Sequence, residues 1–198
     1  MDEIAAGLAH NVLSIYDIHD TARRCLLGLA GVPGSGKSTL AARLAARMNE
    51  AHPGSCVCIS MDGWHYPRSH LDRMADPSEA YRRRGAAFTF DAEAFVAFVQ
   101  RARVRLDVTI RAPSFSHAEK DPVPDAILIE PSHRIILFEG LYCCLDVEPW
   151  VQAARCWDLA WFLDVPQDIA RTRLIRRHVD AGIAPDEAAA AERGIRYQ

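Results

Sequence analysis

The chain has 198 residues, 49% hydrophobic and 25% charged, with a formal net charge of −3. That balance provides a core large enough for one domain and excludes the basic surface of a nucleic-acid binder. No apolar run reaches the roughly 18 residues a membrane-spanning helix needs, so neither nucleic acid nor a membrane is an expected partner.

In chain order, MDEIAAGLAHNVLSIYDIHD carries acids and no basic leader, and its apolar residues recur at helical spacing. It predicts an N-terminal helix over 1–22 rather than a signal peptide. CLLGLA (25–30) reads as a buried strand, followed by a glycine-rich turn and a helix to about residue 50. HPGS breaks that helix, and CVCIS reads as a second strand. Residues 62–90 are irregular, aromatic and basic, and Asp91 is a suitable N-cap for AEAFVAFVQRARVRL. Two short strand-like pieces, 107–111 and 126–129, flank a proline-rich loop. RIILF (134–138) and LAWFL (159–163) are apolar enough to be buried parallel strands. An arginine-rich helix starts near 167, and an alanine-rich terminal helix should be capped by Gly194. Cys56, Cys58, Cys143 and Cys144 lie in or beside strand-like runs at spacings that suit neither zinc nor disulfide staples. They read as reduced thiols of a cytoplasmic protein. Strands alternating with helices imply a parallel sheet covered on both faces.

GVPGSGKS, Gly31 to Ser38, fits G-x-x-x-x-G-K-[ST] at every fixed position, between a strand and a helix, as a phosphate loop requires. Gly31, Gly34 and Gly36 lack a Cβ, so the backbone can curl and turn its N–H groups inward. Those amides and the following helix N-terminus bind polyphosphate oxygens. Lys37 reaches the β- and γ-phosphates, and the Ser38 hydroxyl is a ligand for Mg²⁺. Ser35 and Thr39 complete the nucleotide-binding set. Motors, switches and metabolite kinases share this loop. The N/T-K-x-D motif of guanine-specific switches is absent, and the chain has little room for a ring ATPase's extra lobes.

Two acids end strands. Glu139 closes RIILFEG, where phosphate-loop proteins place an acid beside water or Mg²⁺. Asp62 follows CVCIS within SMDGWHY, and strand ends are where ligands gather in an open α/β sheet. Asp62 is either the base for a hydroxyl acceptor, with Trp64, His65 and Tyr66 as pocket walls, or the start of an Asp-Gly turn with locally packed aromatics. Arg173, Arg176 and Arg177 share a helix face and suit a lid over the γ-phosphate, although a solvated charged face has the same pattern. Arg82, Arg83 and Arg84 either bind an anionic acceptor or flank a loop. His65 and His117 are weaker candidates, since most lone histidines are structural.

GVPGSGKST, SMDGWH, FEGLY and RLIRRH, in this order, resemble the phosphoribulokinase/uridine kinase family of P-loop kinases. The likeness is to the branch that holds nucleoside/nucleotide kinase-like, fructose-transport-type and fungal Yfh-like proteins. RRRGAAFTFD and KDPVPDAI add to it, and it covers about residues 25–182. The resemblance implies an α/β P-loop three-layer sandwich over 1–198, with an acceptor-side hairpin and loop insert (62–130) and an arginine-rich helical lid (166–186). It implies phosphoryl transfer from ATP, with Mg²⁺, to a hydroxyl of a small metabolite such as a sugar or nucleoside. Asp62 would be the base, Glu139 the acid near Mg²⁺, and Arg173, Arg176 and Arg177 the lid cations. Asp62, Trp64, His65, Tyr66, Arg84 and His117 would bind the acceptor, in a monomer or homodimer. Two departures stand out. Family members often have Asp where this chain has Ser116, and they continue into an Asn-Asp-x-x-Asn segment and a last strand that AAAAERGIRYQ lacks. A nucleotide-binding module or an NTPase without acceptor turnover is the alternative.

Overall fold

The computed structural model describes residues 1–16, 22–180, 182 and 184–195. The strands are β1 (Cys25–Ala30), β2 (Cys56–Ser60), β3 (Ile110–Ser116), β4 (Asp121–Ile129), β5 (Ile135–Gly140) and β6 (Leu159–Phe162). The helices are α1 (Asp2–Ile15), α2 (Lys37–Ala51), α3 (Arg68–Leu71), α4 (Pro77–Arg82), α5 (Ala92–Val104), α6 (Trp150–Ala154), α7 (Gln167–Asp180) and α8 (Glu187–Ile195). Four strands form a parallel sheet in the order β2-β5-β1-β6, and β3 and β4 pair separately as an antiparallel hairpin.

Side chains alternate across the sheet, as a two-residue strand period demands. Cys25, Leu27 and Leu29 of β1 and Ile135 and Leu137 of β5 face α1 and α2, against Ala5, Ala9, Val12, Leu40, Leu44 and Met48. Leu26 of β1 and Ile136 and Phe138 of β5 face the other way, onto Phe95, Val99 and Trp150 of α5 and α6. Each such large side chain contributes about 1.5–3 kcal/mol on burial. Gly28 is needed on that second face because the Trp157 ring lies 2.6 Å from where its Cβ would be. The six cysteines are free. Burial pushes the Cys25 and Cys58 thiols up to about 12, and raises Cys56 and Cys143 as well, so they act as small apolar residues.

The structure differs from the sequence expectations at several elements. Helix α1 ends at Ile15, and residues 17–21 lie outside the described residues. Of the two short strand pieces, 110–111 and 126–129 are the outer ends of a longer hairpin that contains Pro113, Pro122 and Pro124, and 107–109 precede it without strand structure. A two-stranded ribbon has two free edges, where a missing N–H does no harm, and Pro113 sits at a register shift between Ala112 and Ser114. Within the irregular stretch, Asp76 caps α4 by accepting from Glu79 N–H at 2.9 Å, with Pro77 at the first helical position. Strand β6 is the sheet edge among the described residues, so Phe162 is 56% exposed rather than buried. Helix α8 runs one residue past Gly194. Asp91 caps α5 as expected, accepting from Ala94 N–H at 3.0 Å.

Arg24 is fully buried where the sequence reads as an ordinary strand start. Its guanidinium donates to the carbonyls of His133 (2.8 Å), Ala102 (3.1 Å), Glu130 (3.1 Å) and Arg105. It thereby closes the C-terminal end of α5 and the turn from β4 into β5 around one fork of donors.

Candidate active site

The phosphate loop follows β1. Gly34 and Gly36 have φ of +84° and +92°, the left-handed region that glycine alone enters without strain. No side chain caps α2, so its first N–H groups are left for an anion. Ser35 is buried beneath the loop, where Gly31 leaves it room: a Cβ there would lie 2.8 Å from Ser35 Oγ. Lys37 is half-buried at the opening of α2, and Ser38 and Thr39 are exposed beside it.

Glu139 sits at the end of β5, in register with Leu29 of β1 on one side and Ser60 of β2 on the other. It is 6% exposed, and its Oε2 is buried with no hydrogen-bond partner among the described residues. Burial pushes its carboxyl above the usual range and Asp62 adds to that, while Lys37 and hydrogen bonds from the Ser60 and Ser38 hydroxyls pull the other way. A buried carboxylate with one oxygen open, beside a serine hydroxyl, fits Mg²⁺, which keeps few protein ligands and completes its shell with phosphates and water. Among the described residues no cluster of three or more His, Cys, Asp or Glu exists to hold a metal by protein alone.

Asp62 lies on a single 3₁₀ turn, Met61–Trp64, that continues β2. The turn is closed by Ser60, whose Oγ accepts the Asp62 N–H at 3.3 Å, and by the Asp62 carbonyl, which accepts the His65 N–H at 3.1 Å. The Asp62 carboxylate takes no part in this closure, and among the described residues it has no hydrogen-bond partner. Gly63 is required because the hairpin backbone presses on the turn: a Cβ there would lie 2.6 Å from the Pro113 carbonyl oxygen. Gly140 is required for a similar reason, with Met61 packed into the space its side chain would fill.

The aromatic neighbours separate. Trp64 is not a pocket wall. It is 6% exposed in the core, edge-on to Phe95 at 5.1 Å and tilted on Phe98 at 5.1 Å. His65 stays beside Asp62, its ring between Phe90 (3.9 Å) and Phe115 (4.9 Å). Tyr66 stacks on His70 at 3.9 Å. Arg84 is partly engaged: it donates to the Tyr66 carbonyl at 3.0 Å, pairs with Asp121 at 3.1 Å and lies over Phe115, while its Nε is buried with no hydrogen-bond partner among the described residues. Arg82 and Arg83 both pair with Glu79. His117 is exposed on the hairpin turn, its ring 5.4 Å from that of Phe115.

Helix α7 lies against the phosphate loop. The Ala170 carbonyl oxygen is 2.2 Å from where a Gly34 Cβ would be, and Arg173 donates to the Ser35 carbonyl at 3.4 Å. Arg176 points elsewhere, in an exposed pair with Asp180 at 3.8 Å, and Arg177 is exposed. Of the three lid arginines, the structure brings Arg173 alone to the loop. A largely apolar cleft of about 860 Å³, lined by Val32, Pro33, Leu141, Phe162, Ala170 and Leu174 among others, opens between loop and helix. Sequence reasoning missed Ser60, which touches both acids. Its only signal was a hydroxyl two residues before Asp62 at a strand end.

Residues 26–183 match the Phosphoribulokinase / Uridine kinase family. The chain is 54% identical over 136 residues to a protein of Aspergillus versicolor named ATP-dependent kinase-like protein notR', covering 67% of this chain and 79% of that one. It is 45% identical over 172 residues, 86% of this chain and 73% of the other, to a Schizosaccharomyces pombe protein provisionally named a uridine kinase. Yeast proteins named ATP-dependent kinase YFH7 also match, and the chain spans about half the length (50%) of the Kluyveromyces lactis one. Its fold is similar to that of a Silicibacter protein provisionally named a fructose transport system kinase, with a TM-score of 0.84 and 31% identity over 96% of this chain and 88% of the other.

Proposed function

The chain belongs to the phosphoribulokinase/uridine kinase family of ATP-dependent kinases, and from that premise we propose that it transfers the γ-phosphoryl group of ATP to a hydroxyl of a small metabolite, with Asp62 as general base. One observation carries this reading. The phosphate loop, Glu139 and an unbonded Asp62 carboxylate stand at the ends of three adjacent parallel strands, β1, β5 and β2. The acceptor oxygen attacks the γ-phosphorus, the bond to the bridging oxygen breaks, and ADP leaves with the electron pair. The hydroxyl proton passes to the Asp62 carboxylate.

The loop amides and Lys37 hold the phosphates, and Arg173 stands where it can neutralise charge on the transferred group. When bound, Mg²⁺ would be held by Ser38 and Glu139 and would supply charge neutralisation at the phosphate oxygens. Lys37 favours the ionised form of Glu139, which burial and Asp62 oppose, and a bound cation would add to the effect of Lys37. Helix α7 against the loop supports exclusion of water, without which a kinase wastes ATP by hydrolysis.

The test is ADP release with Mg-ATP across a panel of small alcohols, beside Asp62→Asn. The expected result is acceptor-dependent release that the variant lowers by about 10²–10⁴-fold with ATP affinity unchanged. Release that ignores every acceptor and is equal in both proteins favours a hydrolytic NTPase. ATP binding with no release favours a nucleotide-binding module.

A further inference from the structure

His65 lies three residues beyond Asp62, and the turn fixes its chemistry. Its Nδ1 is 2.8 Å from the Asp62 carbonyl oxygen. A carbonyl only accepts, so Nδ1 carries the proton and donates, and the neutral ring's other nitrogen, Nε2, is left with a lone pair. Rings on two sides hold this orientation: Phe90 at 3.9 Å and Phe115 at 4.9 Å, with a backbone bridge between His65 and Phe90. Burial disfavours the charged imidazolium and lowers its pKa, although Asp62 pulls the other way. Among the described residues Nε2 has no hydrogen-bond partner, and it is not among the sealed polar atoms.

The acceptor side therefore presents two hydrogen-bond acceptors three residues apart on one turn, the Asp62 carboxylate and His65 Nε2, the latter framed by aromatic rings. The insert's arginines offset them only in part: Arg84 pairs with Asp121, although its Nε is buried without a partner among the described residues and its charge reaches His65, and Arg82 and Arg83 share the one carboxylate of Glu79. Lys37 and Arg173 are at the phosphate loop. Such a pair attracts hydroxyl donors and repels a carboxylate or phosphate.

We propose that the phosphate acceptor is an uncharged polyhydroxy compound, with the reacting hydroxyl on Asp62 and a second hydroxyl of the same molecule donated to Nε2 of His65. This rests on the kinase reading above and adds the acceptor's class and the residue that selects it.

The experiment measures ADP release with free sugars and alditols in one arm and nucleosides in the other, each beside its phosphorylated or carboxylated counterpart. The expected result is turnover with an uncharged member and little with its charged counterpart; the responding arm identifies the source of the hydroxyls. His65→Phe keeps a ring between Phe90 and Phe115 but removes the acceptor atom. It should raise the acceptor KM about 3- to 10-fold, the worth of one neutral hydrogen bond, with the ATP KM unchanged. His65→Gln, which restores an accepting oxygen, should recover part of the loss. Turnover with charged members in preference to uncharged ones overturns the inference and leaves the kinase reading standing. No turnover with any member, with ATP bound, overturns both. Nitrogen-15 NMR of His65 decides separately: the Nδ1–H tautomer at neutral pH is expected, and an Nε2–H tautomer or an imidazolium overturns the assignment.

Discussion

Replacing Gly140 by alanine would put a methyl group 1.8 Å from Met61 Cγ and 2.2 Å from its sulfur. Met61 is fully buried and its sulfur accepts the Tyr142 N–H at 3.2 Å, so it has no open space to retreat into. Overpacking of this kind costs about 1–3 kcal/mol. At roughly 2–4 °C per kcal/mol for a chain of this size, Tm should fall by about 2–12 °C. Met61 precedes Asp62, and Gly140 follows Glu139, so the same wedge separates the two acids; a shift near 1 Å costs about 10²-fold in turnover. Thermal unfolding and ADP release would be measured on Gly140→Ala, Met61→Ala and the double variant. Met61→Ala alone leaves a cavity and costs about 2–5 kcal/mol. In the double variant the two closest clashing atoms are gone, the residue-61 Cβ remains at 3.0 Å, and the new methyl fills part of that cavity. The two changes should therefore be less than additive by about 1–3 kcal/mol. An additive double variant, or a Gly140→Ala protein within about 1 °C of the parent, refutes the packing account.

Arg24→Met should cost about 2–4 kcal/mol in urea denaturation, because it strands carbonyls that the guanidinium now satisfies; Arg24→Lys, lacking the planar fork, should recover less than half. A neutral Arg24→Met would show that those carbonyls find water instead. Burial raises the Glu139 carboxyl above its ordinary value of 4.5, with Asp62 adding and Lys37, Ser60 and Ser38 opposing. The folded protein then binds this proton more tightly than the unfolded chain. That stability is present at low pH and is lost as pH rises through the raised value. Glu139→Gln should thus stabilise the nucleotide-free protein at neutral pH while lowering phosphoryl transfer, and should flatten the difference at about pH 4. A variant less stable than the parent at neutral pH contradicts this.

The phosphate loop was legible because its curl is a backbone requirement that Gly31, Gly34 and Gly36 state directly, with Lys37 and Ser38 at fixed spacing after them. Strands β1, β2 and β5 were legible as apolar runs, and α5 from its Asp91 cap. The hairpin was not, since Pro113, Pro122 and Pro124 signal loops unless the ribbon is known to have free edges. Trp64 was misplaced because a one-turn 3₁₀ segment sends successive residues to different sides, leaving Asp62 half-buried at the strand end and Trp64 in the core. Arg176 shares a helix with Arg173, but which of them meets the loop depends on how α7 is rotated against Gly34. Arg24 had no local signal, since its partners come from residues 102–133.

The Asp-Gly pair bears on the turn reading of Asp62. The glycine is not there for a left-handed turn; Gly63 is not among the positive-φ glycines. It is there because Pro113 of the hairpin rests on it. The turn that carries Asp62 is therefore clamped between β2 and the acceptor-side hairpin, which also supplies Phe115 against His65 and Asp121 against Arg84. A change in the hairpin that alters the shape offered to an acceptor would also move the turn that bears the proposed base. Substitutions at Phe115 should accordingly shift acceptor KM and kcat together, whereas an acceptor pocket built separately from the base would let KM change alone.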